Sequence, residues 1–176
     1  MKFRRNNKKL ISFRKEMIKN SHLEDTSINE ILKWVKKRQK NEKTVSKIIN
    51  LNQCVNWYFD KDKNLYHKSR QFFKVKGVKT SDAFGREVKS WTQPILTQKH
   101  GGVLAFISRQ SNKFGTQFLI DAKVEPGDDS LIKISPSFQA TQSNMNRAHG
   151  GKRPKFYDIV MQLKGAELIY YSIHNE

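Results

Sequence analysis

Residues 103–134 read VLAFISRQSNKFGTQFLIDAKVEPGDDSLIKI, and this stretch decides the fold class. Three short runs rich in β-branched and aromatic residues, Val103–Ser108, Gln117–Val124 and Leu131–Ile134, are set apart by turn-formers at Gly101–Gly102 and Pro126–Asp129. Branched and aromatic side chains fill a pleated surface, and Gly, Pro and Asp end it, so each run predicts a strand. Working outward, the same signal marks strands at Val55–Phe59, Phe72–Val75 and Glu167–Ile173, with turns at Asp60–Lys63 and Gly150–Pro154. Phe156–Leu163 reads as a short helix. Many strands and few helices predict an α+β fold, with helices packed on a curved mixed sheet.

The N-terminal side differs. Residues 1–25 mix basic and apolar residues without a lasting period, as a partly helical or disordered basic arm would. Ser27 then opens a helix, with Glu30 three positions on to complete a capping box. Ile28, Ile31, Leu32 and Val35 form one apolar stripe expected to dock on the domain, and Lys33, Lys36 and Lys37 face away. The helix is expected to end near Gln39–Asn41. Residues 26–176 are read as a single domain without internal repeats.

The 176-residue chain carries a formal net charge of +18. Residues 1–47 hold fifteen Lys and Arg against five acids, and residues 48–176 hold nineteen against eleven. Phosphate neutralisation on nucleic acid or an anionic membrane is one reading of that charge. A solvated Lys-rich surface is the plainer one, and attraction of a small diphosphate lies between them. One cysteine, Cys54, excludes an intramolecular disulfide framework and fits a reducing compartment. No apolar run approaches the ~20 residues that span a bilayer, and the basic start lacks the apolar core of a secretory signal. A soluble cytoplasmic protein without membrane contact is the expectation.

Generic catalytic motifs for phosphate loops, dinucleotides, zinc or serine nucleophiles are absent. The five histidines, at 22, 67, 100, 149 and 174, have no metal-ligand spacing, so no metal site is expected. What stands out is a series of polar segments among the strands: Trp91-Thr92-Gln93-Pro94-Ile95, the pair Gly101-Gly102, FLIDAKVEPG at 118–127, SPSFQATQSN at 135–144, and Arg147 with His149-Gly150-Gly151. Loops bearing several hydrogen-bonding side chains beside strands are where ligands usually bind. These segments are expected to line one cavity.

In order and spacing they resemble the nucleoside-diphosphate-hexose 2,3-dehydratases, whose pattern runs W-x-Q-P-I, F-L-x-x-A-K-x-E-P-G, S-P-[ST]-x-Q-A-T-x-S-N and R-x-H-G-G. Upstream, Trp57, Leu65, His67, Ser69, Phe72, Phe73 and Gly77 also resemble that family, and the likeness runs from about Ile28 to the C-terminus. It implies a fold similar to Nudix hydrolases, without their metal-binding glutamate box, since Glu87 stands alone after Arg86. It also implies loss of water across C2 and C3 of a dTDP-linked 4-keto-6-deoxy sugar. No redox cofactor is called for, because the C4 ketone is the electron sink. Family members typically carry two tandem modules, and this chain resembles the first. The resemblance therefore implies a homodimer or a separate second-module chain, and a downstream 3-ketoreductase that takes the product.

Such chemistry needs a base, an acid and donors for an enolate oxygen. Glu125 is a candidate base, in a strand-end position where partial burial raises a carboxyl pKa, or else a brace for the Pro126-Gly127 turn. His100 and His149 are alternative acid–base groups, or surface histidines. Tyr157 is a candidate proton donor, or a packing residue at a helix start. Trp91 stacks on thymine or sits in the core. Gln93, Gln139, Thr141, Ser143 and Asn144 read base, ribose or sugar hydroxyls, and Arg109, Lys123 and Arg147 pair with the diphosphate. Three functions compete: a 2,3-dehydratase, a non-catalytic or truncated dTDP-sugar-binding module, and a nucleic-acid binder through residues 1–47. The last ranks lowest, because no nucleic-acid motif accompanies the charge.

Overall fold

The computed structural model describes residues 7–23, 26–125 and 132–173. Its secondary structure is α+β, with four α-helices, ten strands and a 3-10 turn at Leu51–Gln53 among those residues. Every strand pair with a defined register is antiparallel. The chain divides into two units. One takes Met1–Ser46, Val103–Gln139 and Pro154–Glu176, and the other Lys47–Gly102 and Ala140–Arg153.

In the first unit, α1 (Asn7–Lys19) packs against β7 (Gly115–Phe118), with Phe13 edge-on to Phe118 at 6.3 Å. Helix α2 (Ile28–Asn41) starts where its capping box requires: Ser27 Oγ accepts from Glu30 N–H, and the Glu30 carboxylate accepts from Ser27 N–H at 2.9 Å. It ends at Asn41, within the expected limits. Its docked stripe is narrower than the sequence implies. Ile31, Val35 and Gln39 are half-buried and the helix packs on β9 (Ile132–Pro136), whereas Ile28 and Leu32 are exposed. Residues four apart share one line along a helix, and only that line meets the strand.

The stretch 103–134 forms strands, but with breaks. Val103–Ser108 becomes the end of β5 (Gly102–Ala105) and the start of β6 (Ser108–Ser111). Gln117–Val124 divides at Leu119 into β7 and β8 (Ile120–Val124). One buried side chain holds both breaks: Ser137 Oγ accepts from Ile107 N–H at 2.9 Å and donates to Leu119 C=O. Gly102, expected in a turn, opens β5 instead. β5 pairs with β10 (Phe138–Thr141). β8 pairs with β9 from Ile120↔Pro136 to Val124↔Ile132. The small core here is Ala122, Ile132 and Phe138, with Ser135 and Ser137 buried beside them. Full burial of Phe138 and Ile132 contributes roughly 1.5–3 kcal/mol each. α4 (Tyr157–Gln162) matches the short helix expected, bounded by left-handed Phe156 and Leu163. Glu167–Ile173 is irregular rather than a strand. The expected turn Pro126–Asp129 and residue Leu131 lie outside the described residues.

The second unit is built on a four-stranded sheet in the order β1 (Trp57–Phe59), β2 (Leu65–His67), β3 (Lys74–Thr80), β4 (Trp91–Thr97). Val55–Phe59 shortens to β1 because Asn56 turns with φ 65°. The strand expected at Phe72–Val75 starts later and runs on to Thr80. β2 and β4 were not expected as strands. Pro94, which has no N–H to give a ladder, sits in β4 at the sheet edge, opposite Gly77. Leu65, Ala140 and Met145 are the buried apolar residues, the last on α3 (Gln142–Met145).

Candidate functional site

The second unit holds Trp91, Gln93, His100, Thr141, Ser143, Asn144, Arg147 and His149. In β4, Trp91 and Gln93 stand two apart and so share a face, and Trp91 Nε1–H donates to Gln93 Oε1 at 3.1 Å. Trp91 is half-buried, which leaves part of the indole open to a ligand. Across the β3–β4 ladder, Gly77, Val78, Lys79, Thr92, Gln93 and Pro94 line a shallow hollow of about 410 Å³.

The segment read as a polar loop, 135–144, is instead the end of β9, then β10 and α3. Thr141 is the N-cap of α3: its Oγ1 accepts from Asn144 N–H at 3.4 Å and lies 2.8 Å from Ser143 Oγ. Those three residues are thus first a helix cap. Arg147 follows at φ 56° and is exposed. His149 Nδ1 accepts from Gly151 N–H at 3.0 Å, so its neutral ring carries the proton on Nε2. His100 contributes its carbonyl, which accepts from Gln98 Nε2 at 2.6 Å.

The first unit holds Glu125, Tyr157, Arg109, Lys123 and Gln139. Alternation along β8 puts Asp121 and Lys123 on one face, and Glu125, just past the strand, continues their two-residue spacing. Lys123 Nζ lies 3.0 Å from Glu125 Oε1, and Lys155 Nζ lies 3.6 Å from Asp121. Both pairs are part-exposed, and pairs of this kind contribute about 0–1 kcal/mol each. Arg109 Nε donates to Gln117 Oε1 at 2.8 Å across the β6–β7 pair. Gln139 is exposed on β10, and Tyr157 is half-buried at the first turn of α4.

Among the described residues no three His, Cys, Asp or Glu side chains gather as a metal site, and no helix is long and apolar enough to cross a membrane. Two features escaped the sequence reading of the site. Asp121 pairs with Lys155 from a distant segment, a partnership with no local signal. His67 and Ser69 are joined by a hydrogen bond, 2.8 Å between Nδ1 and Oγ, for which the H-x-S spacing was the available sign.

A family model described as NDP-hexose 2,3-dehydratase matches residues 28–176. The chain belongs to the NDP-hexose 2,3-dehydratase family. Among curated relatives, dTDP-4-dehydro-6-deoxy-alpha-D-glucopyranose 2,3-dehydratase of Amycolatopsis orientalis is 33% identical over 106 residues, 58% of this chain and 22% of its own. The enzyme of the same name from Saccharopolyspora spinosa is 35% identical over 106 residues, 60% of this chain and 21% of its own. That of Streptomyces violaceoruber is 29% identical over 158 residues, 88% of this chain and 34% of its own. The chain thus spans from a fifth to a third of each dehydratase it matches.

Proposed function

We propose that this chain is a sugar-nucleotide 2,3-dehydratase module acting on a dTDP-4-keto-6-deoxyhexose. The observation that carries the reading is the family match, which extends over residues 28–176 and takes in every polar segment from Trp91 to Gly151. The printed activity of the relatives supplies the substrate class. In this reading residues 1–25 are a basic arm and 26–176 one Nudix-like module, consistent with the α+β content. The protein is cytoplasmic, and its product passes to a 3-ketoreductase.

The C4 ketone acidifies the C3 hydrogen. A base removes that proton, an enolate forms, and the C2 oxygen leaves as water once an acid protonates it. Glu125 is assigned as the base, with His100 as the alternative. His149, whose Nδ1 is occupied by Gly151 N–H, is a donor rather than a base. Tyr157 is a second donor. Trp91 and Gln93 are assigned to thymine, Arg109, Lys123 and Arg147 to the diphosphate, and Gln139, Thr141, Ser143 and Asn144 to ribose and sugar hydroxyls. No step moves electrons to or from an outside carrier.

The Lys123–Glu125 ion pair, which engages the candidate base, favours a second reading, in which the module binds dTDP-sugar without turning it over. A second copy in a homodimer, or a separate second-module chain, then completes the enzyme. Incubation of the purified chain with dTDP-4-keto-6-deoxyglucose separates the two. The dehydratase reading expects the dehydrated sugar or its breakdown product maltol. dTDP binding without turnover supports the binding module, and neither binding nor turnover removes both.

A further inference from the structure

A backbone N–H can only donate, and this fixes the protonation of one ring nitrogen in the second unit. Ser69 N–H donates to His67 Nδ1 at 3.2 Å, and Ser69 Oγ lies 2.8 Å from the same atom. That hydroxyl also accepts from Gln71 N–H at 3.4 Å, which leaves its own proton for Nδ1. Nδ1 is therefore an acceptor, and the neutral imidazole carries its proton on Nε2. Nε2 meets no hydrogen-bonding partner among the described residues. The turn that holds this arrangement is local, with Arg70 N–H returning to His67 C=O at 2.9 Å and Arg70 at φ 59°.

The surroundings are aromatic. The His67 ring lies edge-on to Phe72 at 4.5 Å and to Trp57 at 5.5 Å, and Trp57 stands 4.7 Å from Phe73. His67, Trp57 and Phe72 are half-buried and Phe73 is exposed. Half-covered rings beside the imidazole that carries this N–H offer an apolar surface for the C–H face of a sugar next to a single donor. Partial exclusion of water strengthens that donor. His149 shares the locked tautomer but lies exposed in a turn, without the rings.

Resting on the dehydratase reading, we propose that His67 Nε2–H hydrogen-bonds to the C4 oxygen of the 4-keto sugar, with Ser69 as its positioning residue. When the base takes the C3 proton, the C–H electron pair becomes the C3–C4 double bond and negative charge falls on the C4 oxygen. The hydrogen bond strengthens as that charge grows, and the proton stays on nitrogen, so no imidazolate forms. When the enolate collapses, its electrons form the C2–C3 double bond and the C2–O bond breaks. The departing oxygen takes its proton from another acid.

The test uses the full chain, dTDP-4-keto-6-deoxyglucose and ¹⁵N-labelled histidine. His67→Phe keeps the ring packing and removes the donor. It should lower kcat by about 10²–10³-fold while dTDP affinity stays within about twofold. His67→Gln returns an N–H near the Nε2 position and should recover part of the rate. Ser69→Ala removes the hydroxyl but keeps the backbone N–H, so it should lower kcat less, leave the proton on Nε2, and move the signal of the unprotonated Nδ1 as it loses one of its two donors, which a merely structural turn residue would not do. Wild-type turnover with His67→Phe equally active overturns the His67 assignment alone. Absence of wild-type turnover overturns the dehydratase reading and this one with it. Should His67→Phe fail to fold, the wild-type spectrum decides: a protonated Nδ1, or an Nε2–H signal that dTDP-4-keto-6-deoxyglucose leaves unmoved, overturns the proposal, and a bare Nδ1 with an Nε2–H signal that moves when the sugar is added supports it.

Discussion

Gly151 is fitted to His149. Its N–H donates to His149 Nδ1 at 3.0 Å, and a Cβ on residue 151 would lie 2.8 Å from that same nitrogen. The glycine pair is thus explained at its second member by space, and at its first by the left-handed φ of 74° at Gly150. Gly151→Ala should push the imidazole aside and break the bond. His149 is exposed and free to swing, so the melting midpoint should barely move, by under ~0.5 kcal/mol in stability. The His149 nitrogen signals should shift to mixed tautomers. An unchanged spectrum would refute the fit.

Ser137 is the next test, because two strand breaks depend on one hydroxyl. Ser137→Ala strands Ile107 N–H and one acceptor site on Leu119 C=O in a place where the side chain is only 3% exposed. An unsatisfied buried polar group costs about 1–3 kcal/mol. Urea denaturation should show a loss in that range at an unchanged slope.

Gly115 closes the β6–β7 hairpin at φ 68°, and a Cβ there would approach Asn20 Cβ to 2.6 Å. Gly115→Ala therefore combines left-handed strain with a clash against the segment following α1. A loss of about 1–3 kcal/mol is expected. The double variant Gly115→Ala with Asn20→Gly should recover the part due to the clash. Equal losses in single and double variants would place the whole cost in the backbone.

Three carboxylates, Glu30 exposed and Glu42 and Asp60 half-buried, titrate below their ordinary range. Ser27 N–H, then its hydroxyl, holds Glu30 down. Thr44 hydroxyl, then its N–H, does so for Glu42, and Asn64 N–H for Asp60. A carboxyl with a lowered folded value stabilises the fold above its unfolded value, and that contribution disappears as pH falls through the folded value. Stability should therefore begin to decline below the ordinary values of 4.5 for Glu and 3.8 for Asp. Glu30→Gln should flatten the part due to the α2 cap, read as helix signal against pH between neutrality and acid. A slope identical to wild type would contradict this.

Local signals carried what was legible in the sequence. The capping box at Ser27 and Glu30 set the start of α2 because both bonds form within one turn. The helix at Tyr157–Gln162 was equally plain from its own residues. β4 and β10 were missed because Thr92, Gln93, Gln139 and Thr141 look like loop residues, yet a half-exposed strand tolerates them. Gly102 read as a turn, but a Cβ there would meet Ala140 C=O at 2.9 Å, a reason that lies in a distant strand. Glu167–Ile173 had strand composition but is irregular, and composition alone does not make a ladder. For the site, the sequence gathered the right family segments, whereas the tautomers of His149 and His67 emerged only from which N–H faced each ring.

The proposed reaction takes the proton from C3 and the hydroxyl from C2 of a 4-keto sugar nucleotide. Proton NMR of dTDP-4-keto-6-deoxyglucose with the purified chain in D₂O follows both positions at once. The C3 hydrogen signal should disappear at a rate proportional to protein concentration, together with the C2 signal as water is lost. A C3 signal that persists as it does without protein would contradict the account.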